Sequence, residues 1–377
     1  MKIVIVGPGY PLRGGIATFN HRLAKAFIEQ GHECEIVSFS LQYPSFLFPG
    51  KTQFSTEPQS DSINIRKLIN SVNPFSWFSA GNKLKKEKPD LIVVRYWLPF
   101  MGPALGTLLR RVRTNKYTKI ICLCDNAIPH EKRPGDNLFT KYFVKTCDAF
   151  VTMSEKVKSD LMLFDKTKPK LLIYHPVYDN FGEAVDTAEA RKHLGLPENE
   201  DLFLFFGFIR KYKGLDILIE ALSIYKKTAV KPFKLIIAGE FYEDEQPYIK
   251  LIEGLDLKND IILFNEFIPD SEVKYFLCAG DLLIQPYRNA TQSGVTPLAY
   301  HFETPMIVTK VGGLEKQVPD QKAGYVVEPT AEAIAEAMKK FSQKGKVAFI
   351  PFLQQEKQNY SWEHMVSSMI ELTQAQR

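Results

Sequence analysis

Two cations stand close together in FFGFIRKYKGLD (residues 205–216): Arg210 and Lys213, with Gly214 next. An apolar run precedes them and an amphipathic run follows, so both lie in a loop between a strand and a helix. Cations at the carboxyl end of a strand can neutralise a diphosphate, and stabilising a departing diphosphate is catalysis by placed charge. A second loop of this kind follows DLLIQPY: Thr291, Gln292, Ser293, Gly294 and then Val295, where a helix begins. Ser293 is placed to cap that helix, and Gly294 lets the amides of 292–295 approach an anion. Facing Arg210 and Lys213, this loop would complete a diphosphate cradle. A third is GPGYPLRGGIATF, in which Gly14 and Gly15 precede a helix and offer its first amides to a phosphate. As a dinucleotide fingerprint this segment fails, because Leu12 stands where the third glycine belongs and no acid closes the second strand. ICLCDNAIPHE ends another strand with Asp125 and His130, either of which can orient or deprotonate a hydroxyl. Singly, each segment also fits a plain turn, a capped helix or an exposed loop. No G-x-S-x-G elbow, Walker A loop or metal-spaced His/Cys/Asp cluster occurs.

The elements that must carry these loops come in two series. KIVIV, CEIVSF, DLIVVRYW, KIICLCD and AFVTMS read as buried strands, alternating with helices. A helix over GGIATFNHRLAKAFIEQ closes at Gly31. The pattern restarts near residue 200 with LFLFFGF, the helix GLDILIEALSIYKK, and then FKLIIAGE, DIILFNEF, DLLIQPY and PMIVTKVGG. The Pro-, Gly- and charge-rich stretch at 176–190 reads as a linker. The fold class is therefore α/β, with two Rossmann-like domains of similar size facing a cleft; ligands in such folds bind beyond the carboxyl ends of the strands. YSWEHMVSSMIELTQ (360–374) is a closing amphipathic helix.

The chain has 377 residues, 48 Lys+Arg against 43 Asp+Glu, and 45% hydrophobic residues. That composition excludes disorder, collagen-like repeats and a disulfide mini-scaffold. Residues 1–180 carry the basic excess, concentrated in KLKKEK (83–88) and RRVRTNKYTK (110–119), while the remainder is net acidic. A basic half points to an anionic partner, although solvated helix faces explain such runs equally well. No finger, RNP or basic-zipper pattern supports nucleic acid. The four apolar residues after Met1-Lys2 are too few for a secretory leader, and no run reaches the roughly 18 of a membrane span. Five cysteines without a CxxC fit a reducing compartment, and the expected location is cytoplasmic.

GGIATF after the first strand, FFGFIRKYKGLD, FNEFIPDSEVKYFLCAGDLLIQPY, TPMIVTKVGG and the closing SWE helix fall in one family order. On them the chain resembles the retaining glycosyltransferases of the GT-B fold, specifically glycosyltransferase family 4, the group 1 transferases. The resemblance implies an acceptor-binding domain over 1–178, completed by 358–377, and a donor-nucleotide domain over 179–357. It implies retention of configuration, no required metal or other cofactor, and a last helix crossing back to the first domain. Gly15 matches the glycine loop near the donor phosphates, and Lys213 the family's diphosphate lysine. Phe208 holds the place of the usual arginine, so Arg210, on the same face of an extended strand, substitutes. Glu266, Phe267 and Ile268 match the stretch around the nucleobase. Two glutamates that the family places on sugar and ribose fall on Ala290 and Leu298, and 292–295 replace its Phe-Gly pair. Asp125 holds the place of the cleft histidine, and His130 stands five residues on.

The implied function is transfer of a sugar from a nucleoside-diphosphate-sugar to a hydroxyl of a glycan or lipid-linked acceptor, in polysaccharide or glycolipid biosynthesis. The missing glutamates keep open a non-catalytic nucleotide-sugar-binding or partner subunit. LPFMGPALGTLLRRVR (98–113), apolar with a basic end, reads as a peripheral contact for an anionic membrane, or as a core helix with a solvated end.

Overall fold

Apolar runs buried on both faces make parallel strands, and the computed structural model has two sets of them. It describes residues 1–44, 52–59, 62–129, 133–290 and 293–375. In the first set are β1 (Lys2–Val6), β2 (Glu33–Leu41), β3 (Ile65–Asn70), β4 (Leu91–Tyr96), β5 (Lys119–Cys124), β6 (Ala149–Thr152) and β7 (Lys170–Leu172). They form one parallel sheet in the order β3-β2-β1-β4-β5-β6-β7. Helices α1 (Gly15–Glu29), α2 (Pro74–Glu87), α3 (Gly102–Arg113), α4 (Asp136–Val144) and α5 (Glu155–Met162) make the crossings. Val4, Val94, Leu105, Leu108 and Phe143 are wholly buried in the core between sheet and helices.

After α6 (Thr187–Leu194) the second set follows: β8 (Asp201–Phe206), α7 (Leu215–Lys226), β9 (Phe233–Ala238), α8 (Gln246–Gly254), β10 (Ile261–Phe264), α9 (Val273–Ala279), β11 (Leu282–Gln285), α10 (Val295–His301), β12 (Met306–Thr309), α11 (Leu314–Gln317), β13 (Gly324–Val327), α12 (Ala331–Lys344) and α13 (Ile350–Glu356). Its sheet is also parallel, in the order β10-β9-β8-β11-β12-β13. Strand order reverses between β1 and β4 in one sheet and between β8 and β11 in the other. Those are the points where loops part and a ligand can enter.

By Cα packing the chain separates into Met1–His175 with Trp362–Arg377, and Pro176–Ser361. The last helix, α14 (Trp362–Gln374), packs on α1 of the first unit, as expected. Trp362 is buried there, its ring centroid 4.8 Å from that of Phe19 and 5.2 Å from the Arg22 guanidinium.

Three strands, β3, β7 and β13, are additions to those read from the sequence. β3 and β13 lie at sheet edges; β3 carries Arg66 and Lys67, which break its apolar run, and β13 is a run of only four residues, GYVV. β7, also at an edge, has three residues, none fully buried.

Candidate functional site

The loop after β8 is fixed from both sides. Ile209 N–H donates to Glu240 C=O beyond β9 (2.9 Å), and Tyr242 N–H donates back to Ile209 C=O (3.0 Å). On the other side Arg288 N–H, beyond β11, donates to Tyr212 C=O (2.7 Å). A single 3-10 turn, Lys211–Lys213, then leads into Gly214, whose φ is +68°. A Cβ at Gly214 would stand 2.0 Å from the Pro286 carbonyl oxygen, so only glycine lets this loop meet the end of β11.

That geometry buries Lys213, which is 8% exposed. Its ammonium lies against Gly207, where a Cβ would come within 3.2 Å, and 5.7 Å from the centroid of the Tyr287 ring. Among the described residues it has neither an ion-pair nor a hydrogen-bond partner. Burial first, and the nearby positive charge of Arg210 second, lower its pKa to about 7. Arg210 is exposed, its guanidinium 5.1 Å over the Tyr242 ring, and it too lacks an ion-pair partner among the described residues.

The opposite wall comes from the loop after β11. Ser293 Oγ accepts from Val295 N–H (3.2 Å), the cap its position suggested, and lies 3.4 Å from the Tyr287 hydroxyl. Val295 Cγ2 would lie 3.6 Å from a Cβ at Gly207. Lys213, Tyr287, Ser293 and Val295 are therefore contiguous around Gly207, with Gly294 between the last two; Gln292 falls outside the described residues. Ala290 and Leu298 are 2% and 5% exposed. A Cβ on Gly312 would run into the Ala290 carbonyl oxygen at 1.5 Å, so that stretch is closed over by the loop after β12. Both positions are packed as core, and neither offers a side chain to a ligand.

Beyond β10, Glu266 is exposed, Phe267 half-buried and Ile268 buried. The Phe267 ring is 6.0 Å from that of Phe208, which lies 4.3 Å from Tyr242. Three aromatic rings from three adjacent strand ends thus meet beside Arg210. Sequence reading missed Tyr287, Tyr242 and the buried carboxyl-bearing Glu240, 2% exposed. The available signal was a glycine directly after β8, β9 and, three residues on, β12: Gly207, Gly239 and Gly312.

In the first unit Gly14 (φ +101°) is the N-cap of α1 and Gly15 its first residue. Asp125, directly after β5, is 5% exposed and held by Arg95 of β4 through Nε–H to Oδ2 and Nη2–H to Oδ1, both 2.6 Å. The same guanidinium lies 4.2 Å over the Phe19 ring. Arg95 thus holds both carboxylate oxygens of Asp125. His130 falls outside the described residues. Of the two readings of 98–113, the core helix fits: Leu105, Leu108, Leu109 and Val112 are fully buried. Its arginines are engaged as well, Arg110 by the Tyr142 carbonyl (2.6 Å) and Arg113 by Asp148 (2.6 Å).

The family model for glycosyltransferase family 4 matches residues 13–177, and that for glycosyl transferases group 1 matches residues 186–349. A D-inositol 3-phosphate glycosyltransferase of Corynebacterium urealyticum is 23% identical over 75% of this chain and 70% of its own length. An uncharacterised glycosyltransferase of Methanocaldococcus jannaschii is 23% identical over 87% of this chain and 85% of its own. Among solved structures, sucrose-phosphate synthase from Thermosynechococcus elongatus superposes with a TM-score of 0.76 at 16% identity, covering 100% of this chain and 99% of that one. Anabaena Alr3699/HepE in complex with UDP-glucose gives 0.75 at 15%, covering 98% and 100%. With both halves matched and the loops in family order, the chain belongs to the group 1 glycosyltransferases and is a transferase of the GT-B type.

Proposed function

We propose that this enzyme moves a sugar from a nucleoside-diphosphate-sugar to a hydroxyl of a glycan or lipid-linked acceptor, with retention, and that the second unit holds the donor. One observation carries the reading: Lys213 is a buried ammonium with no anionic partner among the described residues, walled by glycine and a capped helix start. Burying a cation without a counter-charge is costly, and the arrangement makes sense when an anion arrives to meet it. Arg210 brings a second cation on the same loop. The similarity to Anabaena Alr3699/HepE in complex with UDP-glucose supports a nucleoside diphosphate as that anion.

As the bond from the anomeric carbon to the diphosphate oxygen breaks, negative charge grows on the leaving group. Lys213 and Arg210, with the backbone around Gly294 and Val295, would stabilise that charge more than the ground state, which raises the rate. The aromatic set Phe208, Tyr242 and Phe267 would take the nucleobase face. With positions 290 and 298 packed away, sugar and ribose would depend on other groups. The test is nucleotide titration and turnover of Lys213→Ala and Arg210→Ala. The reading expects both affinity and rate to fall in each; unchanged values in both variants would overturn it.

A further inference from the structure

We propose that the sheet of the second unit continues into a second copy of this chain, the two β10 strands running antiparallel about a two-fold axis at Ile262. This surface is a sheet edge and does not depend on the donor reading.

An edge strand leaves the N–H and C=O of every second residue without a ladder partner, and natural sheets blunt such edges with charge, shortness or a covering loop. Among the described residues, three of the four edges are blunted. β3 carries Arg66 and Lys67 and has an irregular register against β2. β7 has three residues and starts at Lys170. At β13 the outward groups are taken: Val326 N–H donates to Asp320 Oδ1 (2.9 Å), and Gly324 C=O accepts from Gln321 N–H (2.7 Å).

β10 has none of these devices. It reads Ile261-Ile262-Leu263-Phe264, in regular register with β9, and all four residues are partly exposed, Leu263 most at 36%. Leu235 N–H donates to Asp260 C=O and Gly239 N–H to Phe264 C=O. Residues 260, 262 and 264 therefore face β9, and Ile261 and Leu263 turn their backbone groups outward. Among the described residues those four groups have no hydrogen-bond partner.

Register selects the occupant. A second antiparallel β10 uses all four outward groups of each copy when Ile261 of one faces Leu263 of the other, which puts the axis at Ile262 and makes four hydrogen bonds. The turn before β10, with Lys258, then lies alongside the bend after the other copy's β10, with Glu266. Both side chains are exposed, and neither has an ion-pair partner among the described residues. Moving the axis by one residue either way sets Glu266 against Asp256 or Asp260 instead, like charge on like. A foreign strand could fill the edge but would leave this end-to-end charge match unused, whereas a second copy uses it twice. A seam of four residues is a small interface, so the assembly is reversible and depends on concentration.

The experiment is sedimentation velocity of the full chain across a dilution series. The wild type should pass from one chain to two as concentration rises. Leu263→Pro removes one outward N–H per copy and no bond to β9, and should weaken association at least about fivefold. Leu263→Lys keeps every backbone group and should weaken it as well. Lys258→Glu and Glu266→Lys should each weaken association about 3- to 30-fold, and the double swap should restore it. Ile262→Cys places two thiols across the axis at a spacing a disulfide can bridge. Oxidised glutathione, taking up the two electrons, should link the chains there. A wild type that stays a single chain throughout overturns the proposal. So does a folded Leu263→Pro or Leu263→Lys that associates like the wild type, a double swap no better than the single ones, or an Ile262→Cys chain that does not link.

Discussion

At the residue scale, Lys213 and Asp125 are opposite cases of a buried charge. Lys213 is buried without a partner, so it burdens the free enzyme and serves the complex. Lys213→Met should raise the melting temperature of the ligand-free protein and abolish the further rise that a nucleoside diphosphate gives the wild type. Affinity should fall by about 10- to 150-fold, the equivalent of about 1.5–3 kcal/mol for a hydrogen bond to a charged group. The pH dependence follows from its lowered pKa. Between the folded value of about 7 and the ordinary 10.5, the unfolded chain holds a proton that the folded one has released. This residue's contribution to stability therefore rises with pH through that window and is least below it. Diphosphate binding restores the ammonium, so above neutrality the wild type should take up a proton on binding. Calorimetry in two buffers of different ionisation enthalpy measures this, and no uptake would show that Lys213 does not face the phosphates. Asp125 is buried with its partner. Asp125→Asn leaves the Arg95 guanidinium without a counter-charge and should cost about 3–5 kcal/mol of stability, while Arg95→Met with Asp125→Leu should come back near the wild type. A general base would give the reverse pattern for Asp125→Asn, full stability with lost turnover. The sequence shows both residues plainly. It cannot show that the Lys213 loop is sealed, or that Asp125 meets Arg95 from a neighbouring strand, because those are facts of packing between distant segments.

At the element scale, the strands legible in advance were those buried on both faces, such as β1, β4 and β8, because an unbroken apolar run has no other use in a chain of this kind. The edge strands β3, β7 and β13 were not legible: β3 mixes Arg66 and Lys67 into its run, as a loop would, and β7 and β13, at three and four residues, are too short to stand out. The loops were legible by type: a glycine, cations and a helix start after β8, and a serine cap after β11. Their closeness was not, and it depends on glycines whose missing side chains leave room for a neighbouring backbone. Gly214 and Gly195 separate the two uses of glycine. Their φ angles are +68° and +65°, but a Cβ at Gly195 would meet nothing within 4 Å, whereas at Gly214 it would strike the Pro286 carbonyl at 2.0 Å. Gly195→Ala should cost about 1 kcal/mol, the strain of a left-handed residue. Gly214→Ala should cost more and, by pushing the loop off β11, should also weaken nucleotide binding. Denaturant unfolding of both variants with and without nucleotide gives the comparison. Equal costs and intact binding in Gly214→Ala would mean that the loop does not need its close approach.

At the scale of the whole molecule, the chain begins and ends in the same unit. The periodicity of YSWEHMVSSMIELTQ foretold an amphipathic helix, but not its partner; the resemblance supplied the expectation that it returns to the first domain. The contacts explain the return: Trp362, Met365, Val366 and Met369 are buried on α14, and Gln30 Nε2–H, at the end of α1, donates to Glu363 C=O at 3.2 Å. The face of α1 that includes Phe19 therefore has residues from more than three hundred positions away as part of its core. Trp362→Ala should remove about 3–5 kcal/mol, as for an aromatic ring deleted from a packed interior. The loss should be localised. Amide hydrogen exchange should quicken in α1 and α14, while β8, β9 and α7 of the second unit keep wild-type protection. If exchange rose uniformly, the two units would unfold as one cooperative body. If α1 were unaffected, the last helix would be a passive tail, and the burial of Trp362 would contribute nothing to the fold of the unit that holds it.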